Sequence, residues 1–264
     1  MIKVWEHSMK ILVTNDDGIF AEGINLLALA LKRRGHSVMI AAPSENKSCV
    51  GHSLTLRSAL YAKKTVLNGL EDVPAYAITG TPVDCVRLSI GNLGFDPEII
   101  ISGINHAPNL GTDTLYSGTV SAAVEGGILG YPSIAIAKDT FTADFMEEAA
   151  EYFADNLSDY VELLIKNRSI CALSVNIPSM PREKYRGVRA AKLAVQEYEL
   201  VYNEIPEPDG GLAYTVKSIK LTECDDDDFD EKCMADGYVV LTPLTYDLTD
   251  YADLGKTRLL ERDY

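Results

Sequence analysis

The sequence predicts an α/β fold: a mostly parallel sheet flanked by helices in a three-layer αβα arrangement, continued by a β-rich C-terminal region. Three observations carry this. Short apolar runs of strand type alternate with helical patterns from residue 9 to residue 178. The first unit, residues 9–42, holds strand, helix and strand within the length of one βαβ crossover. Beyond Pro178 the helical patterns give way to long β-rich stretches. We therefore expect a core over 9–178, and a C-terminal region over 179–264 with an extended hairpin and a terminal helix.

The elements follow in order. Residues 9–14 form the first strand. Residues 24–31 have helical spacing, and Lys32-Arg33-Arg34-Gly35 supplies a basic last turn and a glycine stop. Residues 37–42 are the second strand, ended by Pro43. Residues 54–62 and 63–67 read as an extended hairpin, and 75–79 as a further strand. In Gly80-Thr81-Pro82-Val83-Asp84, Thr81 is an N-cap, Pro82 the first helical residue and Asp84 the third, with the helix running to Ile90. Thr81 is also open to a ligand contact.

Residues 98–102 are a buried strand, 121–127 a helix of small residues suited to close packing on a sheet, and 133–137 a strand. Residues 145–166 are a long amphipathic helix, followed by a strand over 170–177. In the C-terminal region 188–202 and 213–221 are β-rich. Residues 223–231 are a dense acidic run read as a solvated loop, and 236–241 are a strand. Extended hairpins of this sort often reach across to a partner subunit.

Composition narrows the function classes. The formal net charge is −15 and the pI about 4.7. Such a chain repels a nucleic-acid polymer. A small anionic substrate remains open if a bound cation reverses the local field. No apolar run reaches the ~18 residues that a membrane span needs, and the first ten residues lack the apolar stretch of a signal peptide. Five cysteines without metal-type spacing read as reduced thiols, although a Cys224–Cys233 bridge across the acidic loop stays open. We expect a cytoplasmic protein with no membrane partner. Residues 1–8, which hold the sole tryptophan, Trp5, read either as an extension or as sequence upstream of an alternative start at Met9.

The chemistry concentrates at strand ends. The first strand stops in Asn15-Asp16-Asp17-Gly18, and in an open α/β sheet that is where ligands collect. Adjacent carboxylates repel unless a cation lies between them, which points to a hard divalent ion; the alternative is a polar turn with a capping Asp. The loop over 43–52, after the second strand, supplies Asn46, Lys47, Ser48 and His52. The loop over 103–111 supplies Asn105 and His106. The stretch from Tyr116 through Ser117, Gly118 and Thr119 opens a helix whose N-terminus offers free amides and hydroxyls to an anion.

With these loops in hand, the chain resembles the SurE survival-protein family of metal-dependent nucleotidases. The matching stretches are ILVTNDDGI (11–19), AAPSENKS (41–48), GTPVDCV (80–86), ISGINHAPNLGTDTLYSGTVSAAVEG (101–126) and GYVVLTPLTYDLT (237–249). The resemblance implies a Rossmann-like core and a C-terminal hairpin swapped between subunits, giving a homodimer or homotetramer. It also implies one divalent cation per subunit, Mg²⁺ or Mn²⁺, held by Asp16, Asp17, Ser48 and Asn105. Asn46, Ser117, Gly118 and Thr119 match positions lining the phosphate pocket. The chain departs from the family at Ser44, where Asp is common, and at Cys49, where Gly is common.

The expected activity is metal-dependent hydrolysis of nucleoside monophosphates, as a 5′- or 3′-nucleotidase using a metal-activated water. Asp16 or Asp17 would take the proton, and His52 and His106 are candidates for the general acid. The alternative is a stress protein that binds nucleotide and metal without hydrolysis.

Overall fold

The computed structural model describes residues 8–139, 144–206, 210–222 and 224–262. Trp5 and Glu223 lie outside them. The chain begins with β1 (Lys10–Thr14), α1 (Glu22–Arg33) and β2 (Ser37–Pro43). It continues through β3 (Ala62–Thr65), β4 (Ala75–Ile78), α2 (Pro82–Gly91) and β5 (Ile99–Asn105). Then come α3 (Gly118–Ile128), β6 (Ser133–Lys138), α4 (Met146–Lys166) and β7 (Ala172–Ile177). The C-terminal region contributes β8 (Val188–Ala190), β9 (Tyr198–Pro206), β10 (Leu212–Lys220), α5 (Asp230–Ala235), β11 (Val239–Leu244) and α6 (Leu254–Thr257).

Nine strands form one sheet in the order β3-β4-β2-β1-β5-β6-β7-β11-β8. The six strands from β4 to β7 are mutually parallel. β3 runs antiparallel to β4, and β11 antiparallel to β7 with β8 alongside it. Side chains alternate across each strand, so both faces bury apolar groups. Ile11 and Val13 of β1 pack under α1 and α4 with Phe153 and Leu157. Leu12 faces the other way, toward Cys85 and Val86 of α2 and Ala122 of α3. The three layers follow from that alternation.

The capping box at the start of α2 forms as the sequence requires: the Thr81 hydroxyl accepts from Asp84 N–H, and the Asp84 carboxylate accepts from Thr81 N–H. The small residues of α3 also do what their size suggests. A Cβ at Gly127 would overlap the Cys171 carbonyl at the entry to β7. Gly127→Ala is therefore expected to cost about 1–3 kcal/mol by overpacking, read as a fall in the urea midpoint.

Three local expectations change, and the expected reduced state of the cysteines holds. Residues 54–67 do not form their own hairpin: 54–61 are irregular, and β3 pairs with β4 instead. Lys63 and Lys64 suit this exposed edge position. Asn105 is the last residue of β5 rather than part of the following loop. The acidic run is solvated only over 225–228; Asp230 is fully buried and opens α5. Cys224 and Cys233 are unbridged, and all five cysteines are free thiols. After Ile177 the chain returns to the main sheet through β8 and β11, while among the described residues β9 and β10 pair only with each other as a separate ribbon. Among the described residues no helix is long and apolar enough to cross a membrane.

Candidate active site

The sheet order makes the site. From β1 the chain moves outward to β2 and β4, then returns to β5 on the other side of β1. The two connections leave in opposite directions, opening a crevice at the C-terminal ends of β1 and β5. Asp16 and Asp17 follow β1, and Asn105 ends β5. Asn15 was not singled out from sequence, yet it shapes the turn. Its amide donates to Gly18 O at 2.9 Å and accepts from Gly18 N–H at 3.1 Å.

Two further elements close on this crevice. Lys47 N–H donates to Asp16 O at 2.7 Å, bringing the loop that carries Asn46 and Ser48 against the carboxylate turn. The N-terminus of α3 arrives from the other side. The Thr119 hydroxyl donates to Asp16 Oδ1 at 2.5 Å. A Cβ at Gly118 would sit 2.7 Å from Asp16 Cβ and 3.2 Å from Pro82 Cγ, so only glycine permits this approach. Asp17 stands beside His106, whose backbone also reaches it.

The electrostatics describe a site short of positive charge. Burial raises the Asp16 carboxyl above the ordinary aspartate range; the Thr119 hydrogen bond opposes this and the Asp17 charge adds to it. Burial likewise raises Asp17, with the His106 charge pulling it partly back. Asp17 Oδ2 is buried without a hydrogen-bond partner. An orphaned carboxylate oxygen beside a second carboxylate fits a divalent cation. Asn105 fits as well: its Nδ2 donates to Ala107 O at 2.7 Å, which leaves Oδ1 for a hard ion. Ser48 is exposed on the adjoining loop. Among the described residues no three His, Cys, Asp or Glu side chains cluster as metal ligands. A cation here would need the Ser and Asn oxygens to complete its shell.

The anion side is equally specific. Ser117 caps α3 by accepting Val120 N–H at 3.0 Å, which satisfies the third helical amide and leaves those of Gly118 and Thr119. The Thr119 hydroxyl is committed to Asp16 and the Thr119 backbone amide also reaches that carboxylate, so the Gly118 amide is the group the helix start offers to an anion. Asn46 uses Oδ1 on Ser48 N–H at 2.8 Å, leaving its amide nitrogen to donate.

Two sequence candidates, Thr81 and His52, separate from the crevice. Thr81 spends its hydroxyl on the cap and on Ser53 O at 2.8 Å. His52 Nε2 lies 2.7 Å from Glu125 Oε2, and Glu125 is seven residues beyond Gly118, roughly 10 Å along the helix. Arg87 Nη2 closes on the other Glu125 oxygen at 2.5 Å. This buried carboxylate braces the 43–53 loop against α2 and α3. Its signal was visible in sequence: a lone charge inside the apolar run 120–126.

The chain is similar to known proteins over most of its length. The family model for survival protein SurE matches residues 11–200. A 5′-nucleotidase SurE of Synechococcus elongatus is 40% identical over 96% of this chain and 100% of its own length. One from Alkaliphilus metalliredigens is 39% identical over 96% and 98%. The crystal structure of the SurE protein from Aquifex aeolicus superposes with a TM-score of 0.77 at 35% identity, covering 96% of this chain and all of that one. With the family model spanning most of its length and near-complete relatives at this identity, the chain belongs to the survival protein SurE family.

Proposed function

We propose that this protein is a metal-dependent phosphomonoesterase that hydrolyses nucleoside monophosphates to nucleoside and phosphate. The observation that carries it is the approach of the α3 N-terminus to Asp16, which sets an anion-binding amide beside an under-neutralised carboxylate pair. The curated relatives' name, 5′-nucleotidase, supports the substrate class.

Asp16, Asp17, the Ser48 hydroxyl and the Asn105 carboxamide oxygen would hold one Mg²⁺ or Mn²⁺ per subunit. When bound, the ion supplies Lewis acidity toward a phosphoryl oxygen and lowers the pKa of water. The protein's own groups do the rest. The Gly118 amide, the Ser117 hydroxyl and the Asn46 Nδ2 take the equatorial phosphoryl oxygens, where charge spreads in the transition state, while Thr119 orients Asp16. Asp17, the carboxylate not tied to Thr119, accepts a proton from the attacking water. His106 serves the leaving oxygen, which its position beside Asp17 supports; His52 is held two turns away by Glu125.

The ribbon of β9 and β10 supports a homodimer or homotetramer as the working assembly. Free cysteines and the lack of a polyanion-binding charge balance support a cytoplasmic enzyme of small substrates. Phosphate release from 5′- and 3′-nucleoside monophosphates tests the reading. EDTA is expected to lower it by at least about a hundredfold, and Mn²⁺ or Mg²⁺ to restore it. Tight nucleotide binding without release would favour a non-hydrolytic metal and nucleotide carrier.

A further inference from the structure

Near its end the acidic run holds a residue that the proposed mechanism does not use. Asp230 is fully buried, and its two oxygens collect three backbone donors from separate segments. Oδ2 accepts from Gly111 N–H at 2.7 Å. Oδ1 accepts from Ala194 N–H and from Glu231 N–H, each at 2.9 Å. Gly111 lies midway along the loop that starts at Asn105 and ends at Ser117. Ala194 lies just before Tyr198, the first residue of the ribbon.

Neighbouring contacts join the same two segments. The Thr112 hydroxyl donates to Gln196 O at 3.0 Å and accepts from Gln196 N–H at 3.3 Å. The Tyr198 hydroxyl donates to Asp113 Oδ2 at 2.7 Å. On the sheet side, Asn176 of β7 accepts from Asn109 N–H at 2.8 Å and donates to Asn109 O at 3.1 Å. The loop between the Asn105 and Ser117 groups is thus pinned to the sheet at Asn109 and to the ribbon's root at 111–113.

We propose that Asp230 is a positioning residue for this loop, fixing Asn105 relative to the α3 amides by tying Gly111 to the base of the ribbon. The inference rests on the roles given to Asn105 and Ser117–Thr119 above. A carboxylate suits the task because both of its oxygens only accept. A carboxamide has one accepting oxygen, so either Gly111 or the Ala194 and Glu231 amides would face an NH₂ group. The loop would loosen while the surrounding apolar packing stays in place.

Asp230→Asn in the full chain tests this. Turnover of a nucleoside monophosphate with Mn²⁺ is expected to fall about ten- to a hundredfold, as small misplacements in a site do. KM should stay within about threefold, and Mn²⁺ affinity measured by calorimetry should weaken. In metal-free protein, amide exchange over 109–116 should quicken by about tenfold or more while β1 and β5 stay protected. Asp228→Asn, which touches only exposed Lys192, should leave all of these unchanged. If Asp230→Asn does not fold, Tyr198→Phe removes an exposed anchor of the same loop and should show the same exchange signature, with a turnover loss of about threefold. Normal loop exchange with normal turnover would overturn the proposal, as would uniform destabilisation of the whole sheet. A wild type that releases no phosphate would remove the nucleotidase reading, and the exchange readout would still judge Asp230.

Discussion

Asp17→Asn is expected to abolish phosphate release, with a loss of about a thousandfold or more, equivalent to roughly 4 kcal/mol of transition-state stabilisation. The same variant is expected to be no less stable than wild type when metal-free. Burial raises the Asp17 carboxyl above its ordinary value, and the His106 charge recovers only part of that. A carboxyl with a raised folded-state pKa favours folding fully below its unfolded pKa; that contribution is lost as pH rises through the folded value. At neutral pH the ionised side chain therefore works against the metal-free fold, and Asn removes the burden.

Added Mn²⁺ reverses the ranking. A ligand that binds only the native state at a hundred times its Kd contributes about 2.7 kcal/mol. In a chain of this size that raises Tm by about 5–10 °C. Wild type should show this rise and Asp17→Asn should show little of it. Calorimetry with EDTA and with Mn²⁺ between pH 5 and 8 separates the two contributions. Normal turnover in the variant, or an equal Mn²⁺ stabilisation, would refute the assignment of Asp17.

The second large effect concerns assembly. In the ribbon's register Leu200 faces Ser218, Tyr202 faces Val216, Glu204 faces Tyr214 and Pro206 faces Leu212. One surface thus gathers Leu200, Tyr202, Leu212, Tyr214 and Val216, and all five are exposed. A lone two-stranded ribbon is marginal in water, and an apolar face of this extent calls for a partner. Tyr202→Glu combined with Val216→Glu is expected to weaken self-association by about a thousandfold, at roughly 2 kcal/mol per lost anchor. Light scattering over a concentration series reads it as a shift to monomer. The nine-stranded body should keep its far-ultraviolet dichroism, because neither residue contributes to its core. An unchanged assembly mass would show that this face is not the interface.

Much of the fold was legible in residue order because its signals are local. Apolar runs over 11–13 and 99–101 cannot sit in water, and their length and β-branched content make them strands. The Thr81-Pro82-Asp84 start of α2 can be read residue by residue because a cap is satisfied within one turn. The β3 pairing failed for the converse reason: an edge strand of four residues has little pattern of its own, and its partner β4 lies beyond a loop.

The candidate site divides in the same way. Sequence alone placed Asp16, Asp17 and Asn105 at or just past strand ends and Ser117–Thr119 at a helix start, since each follows from a local strand or helix signal. It also left a small anionic substrate open on the condition that a bound cation reverses the local field. Only the tertiary structure decided which hydroxyl is spent on which carboxylate, that His52 belongs to Glu125, and that Asp230 leaves the solvated run to hold Gly111. Those choices join residues tens of positions apart, and their energy comes from burial and hydrogen bonding that exist only once the layers have closed.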